Sequence, residues 1–237
     1  MRSVIDGSNY FVYSCVLSAE PSIAAMRDPI KRRLRICEEI LNAASHGIGV
    51  LLALAGCVFL LLTATPSQAI WFAVYGVTLV GLYAASTLYH SLMFTRLRNL
   101  LRKVDHMAIF LLIAGTYTPF CVITLNGWMG WAILGAVWTL AIGGIVFKLF
   151  FTGKMEWLSL TLYILMGWIG MLAIIPIYKA LPISGFVLLL SGGLAYTIGT
   201  WFYARSAKPF QHVIWHLFVL AGSILHFLSI ATLVEPA

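Results

Sequence analysis

From about residue 40 onward the chain is a succession of apolar runs separated by short polar breaks: roughly Ile40 to Thr63, Ile70 to Met93, Val104 to Thr124, Trp128 to Phe151, Trp157 to Tyr178, Ile183 to Tyr203 and Phe210 to Val234. Each is long enough to cross a bilayer as a helix, which takes about 20 mostly apolar residues. The breaks carry turn chemistry: Thr65-Pro66-Ser67, Asn126-Gly127, Thr152-Gly153-Lys154, Pro182 and Lys208-Pro209 interrupt helical propensity or invite a turn. The pattern predicts an all-α integral membrane bundle of seven transmembrane helices.

Composition agrees. Of 237 residues, 61% are hydrophobic and 10% charged, more apolar surface than a soluble domain of this length buries in one core. Residues 1 to 35 are expected to form a cytoplasmic N-terminal extension, partly disordered, because no apolar run of signal-peptide length precedes Cys37. Residues 36 to 237 form the seven-helix transmembrane domain, and Met26 is an alternative start. Cys15, Cys37, Cys57 and Cys121 make no C-x-x-C pair, which argues against structural disulfides and thiolate metal sites.

The net charge of +7 raises the question of nucleic acid, but the basic residues are spread through loops and do not line one groove-facing element, so no nucleic-acid partner is expected. Their distribution bears on orientation instead. With the N-terminus inside, the cytoplasmic segments hold Arg2, Arg27, Lys31, Arg32, Arg33, Arg35, Arg96, Arg98, Arg102, Lys103, Lys148, Lys154, Arg205 and Lys208, and the other side holds Lys179 alone. An excess of Lys and Arg marks the inner side, so the N-terminus is placed in the cytoplasm and the C-terminus outside. Trp71, Trp128, Trp131 and Trp157 fall at span ends as interfacial anchors. Glycine pairs inside the spans, such as Gly143-Gly144 and Gly192-Gly193, permit close helix packing and a homo-oligomer.

Polar residues inside the runs are costly in lipid and usually face the bundle interior. Here they gather. Glu39, Asn42 and His46 recur at helical spacing in the first span; Ser86 and His90 lie four residues apart at the end of the second; Asp105 and His106 open the third; His212 and His216 open the seventh. Odd spans start, and even spans end, at the cytoplasmic face, so this topology gathers all of them there. Two histidines at i and i+4 with a third from another helix make the three-nitrogen set of an open zinc site. His90, His212 and His216 are that set, with Asp105 placed to hold a water or act as a fourth ligand and Ser86 to donate a hydrogen bond to a water or substrate oxygen. Glu39, Asn42 and His46 read either as support for the ligands or as helix-packing residues. His106 and His226 read as packing residues, and Glu38 as solvated.

The set Glu39-x-x-Asn42-x-x-x-His46, Ser86-x-x-Tyr89-His90, Asp105 and His212-x-x-x-His216 resembles the progestin and adipoQ receptor family, and within it the bacterial hemolysin-III-type branch, over about residues 35 to 234. The resemblance implies a seven-helix, N-inside, adiponectin-receptor-like bundle in a bacterial plasma (inner) membrane. It also implies a zinc ion on His90, His212 and His216, with Asp105 reaching the metal through water and Ser86 beside it. A wider likeness to alkaline ceramidases implies metal-dependent hydrolysis of a lipid amide. The expected function is therefore a Zn2+-dependent hydrolase acting on a membrane lipid amide or ester, with a membrane lipid as substrate or ligand. The alternative is a sensor or regulator of membrane lipid state in which zinc is structural. A haemolytic pore is a weaker reading, because a pore needs a polar face through the full depth of several helices.

Overall fold

The computed structural model describes residues 28 to 234. Met26, Cys15 and most of the expected N-terminal extension lie outside the described residues. Among the described residues the chain is all-helical: α1 Pro29–Thr63, α2 Pro66–Ser91, α3 Arg98–Pro119, α4 Trp128–Phe151, α5 Glu156–Trp168, α6 Ile174–Ala180, α7 Ile183–Tyr203 and α8 Gln211–Ala231. Seven spans are long and apolar enough to cross a membrane, the third continuing α3 to Leu125 and the fifth comprising α5 and α6. The chain is a multi-pass membrane protein.

Helix α1 starts well before the first apolar run. Asp28 accepts the amide of Ile30 at 3.0 Å, and Pro29 occupies the first helical position, where its missing N–H costs nothing. At about 1.5 Å per residue its 35 residues reach roughly 50 Å, so the basic first turns extend beyond a ~30 Å hydrocarbon core. Helix α2 opens on Thr65-Pro66, where the Gln68 side chain accepts the Thr65 amide at 3.1 Å and donates to the carbonyl of Leu233 at 3.0 Å, tying this end of α2 to the end of α8.

Two spans are less regular than their apolar runs suggest. The third widens into a π-helix over Phe120–Leu125 after Pro119, which has no N–H for the normal ladder. The fifth breaks at Gly167 to Gly170, where a 3-10 turn over Ile169–Ala173 separates α5 from α6. The Tyr117 hydroxyl stitches that break, donating to the Gly167 carbonyl and accepting the Gly170 amide, each at 2.8 Å. Asn126-Gly127 makes the predicted turn, with φ of 33° and 146°.

Helix α1 packs on α2 and α8, α2 on α3, α3 on α4 and α5, and α7 on α5 and α8. The third span is the most buried of the seven, and its inward face (Phe110, Ala114, Phe120) anchors the core with Phe72, Tyr75, Tyr83 and Val137. Outward faces carry exposed Leu, Ile, Val and Phe, the surface a helix presents to lipid. Cys37, Cys57 and Cys121 are free thiols.

Candidate metal centre

The start of α1, end of α2, start of α3, end of α4, start of α5, end of α7 and start of α8 meet at one end of the bundle. That end contains every candidate site residue. His90 sits in the last turn of α2, and His212 and His216 in the first two turns of α8. Each offers one nitrogen, and the three nitrogens lie within 4.8 Å of one another. The ring centroids are 5.3 Å (His90 to His212), 4.8 Å (His90 to His216) and 4.7 Å (His212 to His216) apart.

The donor set fits a metal on a second count. Glu39 on α1 accepts from His90 Nδ1 at 2.6 Å and from Arg98 at 2.8 Å. A carboxylate held by Arg98 can only accept, so His90 carries a proton on Nδ1, which leaves Nε2 as the nitrogen it can offer to a metal. That Nε2 is buried and has no hydrogen-bond partner among the described residues; neither has His216 Nδ1. Buried polar nitrogens left unpaired are costly, and a shared cation is what a cluster of three imidazole lone pairs would satisfy. Three-histidine, carboxylate-backed donors suit zinc among the common divalent ions.

The other predicted residues surround this cluster. His46 stacks on His216 with centroids 3.6 Å apart and 17° between planes. Asn42 is buried, with its Oδ1 unpaired among the described residues. Ser86 is 1% exposed with an unpaired hydroxyl, and it lines one cavity together with Asp105, His46, His212 and His216.

Three residues depart from their sequence reading. Glu38 is not simply solvated: its carboxylate accepts the amide of Phe210, the left-handed residue (φ 62°) from which α8 starts, and so fixes the helix carrying His212 and His216. Lys148 is not a loop cation. It is fully buried near the end of α4 and donates to Glu156 at 2.6 Å. His106 is more than a packing residue, since its Nδ1 lies 3.6 Å from Glu156 and its carbonyl accepts the Tyr163 hydroxyl at 2.9 Å. Glu156 also accepts the Gly153 amide at 2.8 Å, closing the α4 to α5 turn. One signal in the sequence does point to this pair: the apolar run continues through Phe151 beyond Lys148, and a lysine inside a span requires a partner.

Two cavities converge on the histidines. The inner one is narrow, about 130 Å3, and runs among α3, α5, α7 and α8 past Ile109, Ile113, Trp168 and Val219 to His226. On α8 its lining extends from His212 to His226, fourteen residues or roughly 20 Å of helix. The outer one, a wider cleft of about 490 Å3, opens at the bundle end among α1, α3 and the α7 to α8 loop. His216 faces the inner cavity, His90 the outer cleft, and His212, His106 and Tyr203 line both. The histidine cluster is therefore part of the wall between a mostly apolar slot and a cation-lined vestibule.

Residues 34 to 227 match the family model described as haemolysin-III related. The chain is 47% identical to the Bacillus cereus protein named hemolysin-3, over 84% of this chain and 93% of that one. It is 46% identical to the hemolysin-3 homolog of Bacillus subtilis, over 82% and 93% of the two chains. A more distant relative is the human monocyte to macrophage differentiation factor, 28% identical over 66% of this chain and 67% of the other. No solved structure matches the chain.

Proposed function

The chain belongs to the haemolysin-III-related family, and on that premise we propose that it is a zinc-dependent hydrolase of a membrane lipid amide or ester, working at the cytoplasmic face of a bacterial plasma membrane. The observation that carries this reading is the slot. A mostly apolar cavity roughly 20 Å long, more than one leaflet's ~15 Å share of the hydrocarbon core, ends at two of the three histidines, His212 and His216, with Asp105 and Ser86 beside them. An acyl chain in that slot brings its carbonyl to the cluster.

His90, His212 and His216 are the residues that would hold the metal. When bound, zinc supplies a Lewis acid and lowers the pKa of a water towards ~7. Asp105, on the cavity wall, accepts the proton of the attacking water as its oxygen bonds to the acyl carbon. Ser86 donates a hydrogen bond to the carbonyl oxygen as charge builds there. Asp105 then returns the proton to the leaving amine or alcohol as the C–N or C–O bond breaks, giving a free fatty acid and the second product. The apolar walls exclude bulk water from all but the vestibule side.

A structural-zinc sensor is the second reading, and the link between α2 and α8 favours it, since one ion would tie helices over 120 residues apart in sequence. The relatives' names speak of haemolysis, but the exposed wall of the slot is mostly apolar, which favours a lipid chain over an ion path, and lysis would follow from altered membrane lipid.

The test is metal content and turnover on the same preparation. Protein purified in mild detergent should hold about one zinc per chain, lost in a His212→Ala/His216→Ala variant. Asp105→Asn should keep the zinc but lose about 10²-fold or more of the hydrolysis of a fluorescent ceramide or acyl ester. Zinc retained with no turnover on any lipid amide or ester would leave the sensor reading; no zinc in a folded wild type would sink both.

A further inference from the structure

The outer cleft is lined by six cations, Lys31, Arg32, Arg35, Arg98, Arg102 and Lys208, and by only two carboxylates, Glu38 and Glu39. Both carboxylates already have partners. Glu39 serves His90, Arg98 and, at 3.9 Å, Arg35, while Glu38 serves the amide of Phe210. Lys31 approaches Asp28 at 4.0 Å. Among the described residues Arg32, Arg102 and Lys208 have no side-chain partner, although they come from three separate elements: α1, α3 and the α7 to α8 loop.

The contrast between Arg102 and its neighbour is informative. Lys103 points across to α4 and donates to the Leu149 carbonyl at 3.0 Å, whereas Arg102 is half-buried beside the Gly153 turn and lines the cleft unpaired. A bias of basic residues towards one side explains why cations are at this end of the bundle. It does not require cations from three elements to share one cavity in which they outnumber the carboxylates six to two.

We propose that this cleft is the headgroup site of an anionic phospholipid, its phosphate held by Arg32, Arg102 and Lys208. Guanidinium and ammonium groups recognise phosphate oxygens through charge-assisted hydrogen bonds, and basic pockets between spans at the inner surface bind anionic headgroups. The cleft and the apolar slot share His106, Tyr203 and His212 as their wall, so a lipid with its phosphate in the cleft and a chain in the slot has its acyl linkage beside the histidines. This names the substrate class for the hydrolase reading; it rests on that reading for chemistry, while headgroup binding stands without it.

The experiment titrates the purified full chain in neutral detergent, at 0.15 M salt to screen diffuse attraction, and follows the thermal unfolding midpoint. Phosphatidylglycerol, phosphatidylcholine with the same acyl chains, and inorganic phosphate are added separately, and zinc is measured in every sample. The midpoint should rise with phosphatidylglycerol and respond weakly to phosphatidylcholine and to inorganic phosphate. Arg102→Gln/Lys208→Gln should weaken the apparent affinity for phosphatidylglycerol by roughly thirtyfold, at about fivefold per cation. A charge-matched Arg33→Gln/Arg96→Gln variant, both outside the cleft, should change it less than twofold. Equal responses to the two lipids, equal losses in the two variants, or a full response to inorganic phosphate alone would overturn the proposal. A phosphatidylglycerol response that depends on the cleft in zinc-free wild type would support the headgroup site and remove the metal-centre reading.

Discussion

Glu39→Gln separates a carboxylate that tunes a ligand from one that merely packs helices. The wild-type side chain accepts from His90 Nδ1 at 2.6 Å through one oxygen and from Arg98 at 2.8 Å through the other. Glutamine keeps the shape, loses the charge and turns one acceptor into a donor facing a cation or the His90 N–H. Removing such a carboxylate behind a metal-bound histidine costs about 10- to 100-fold in metal affinity, or about 1.4 to 2.7 kcal/mol. The loss of the Arg98 pair adds a metal-independent cost of about 1 to 3 kcal/mol, because the pair is mostly buried (18% and 9% exposed), softened by the bond Arg98 keeps to the Met93 carbonyl.

These two contributions separate in the assay. Zinc affinity of the stripped protein, measured by competition against a chromophoric chelator, reports the first; the unfolding midpoint without metal reports the second. At a fixed free zinc concentration well above both dissociation constants, a hundredfold weaker site also forfeits about 2.7 kcal/mol of zinc-dependent stabilisation. Zinc affinity within twofold of wild type, together with a lower metal-free midpoint, would refute the assigned role and leave Glu39 as a packing residue between α1, α2 and α3.

Lys148→Met strands the buried Glu156 carboxylate and should lower stability by about 3 to 5 kcal/mol in denaturant titration, while a Lys148→Met/Glu156→Leu pair should recover much of the loss; an unchanged midpoint in the single variant would show the pair to be inert. Orientation can be read with single cysteines in a background cleared of the native thiols. A cysteine at Arg96 should react with an impermeant maleimide only after the cells are opened, and one at Asn126 in intact cells; the reverse pattern would overturn the N-inside assignment.

The spans were legible because lipid imposes a simple demand. Backbone polar groups must be satisfied within a segment, so a run of about 20 apolar residues has few options other than helix. The same simplicity hides the breaks. The π-turn at Phe120–Leu125 and the 3-10 turn at Ile169–Ala173 lie inside apolar stretches; the first follows Pro119, and the second is held by a tertiary contact, the Tyr117 hydroxyl reaching the Gly167 to Gly170 segment. The meeting of His90, His212 and His216 was legible from span parity alone. Helix rotation was not, and rotation decides that His90 turns to Glu39, that His46 stacks on His216 and that His106 faces Glu156. Glu38 shows the limit most clearly: on a helical wheel it is one more solvated acid, and only the left-handed entry of α8 at Phe210 gives it a partner 172 residues away.

That partner matters for choosing between a metal that holds the bundle and one that does chemistry. A structural zinc site is normally closed, its ligands filling the coordination sphere and its surroundings sealed. Here His216 borders an apolar slot, His90 borders a basic vestibule, and His212 borders both. If the ion served only to tie α2 to α8, the fold would already have a sufficient tie from α1, through Glu39 to His90 and through Glu38 to Phe210. Two cavities meeting at the histidines, one mostly apolar and one lined by cations, are superfluous to a clasp, whereas a hydrolase acting on a lipid needs both: one to take the chain out of the bilayer and one to admit water and the polar head. On the hydrolase reading, the carboxylate anchors on α1 would hold the histidines still while substrate enters and product leaves between them.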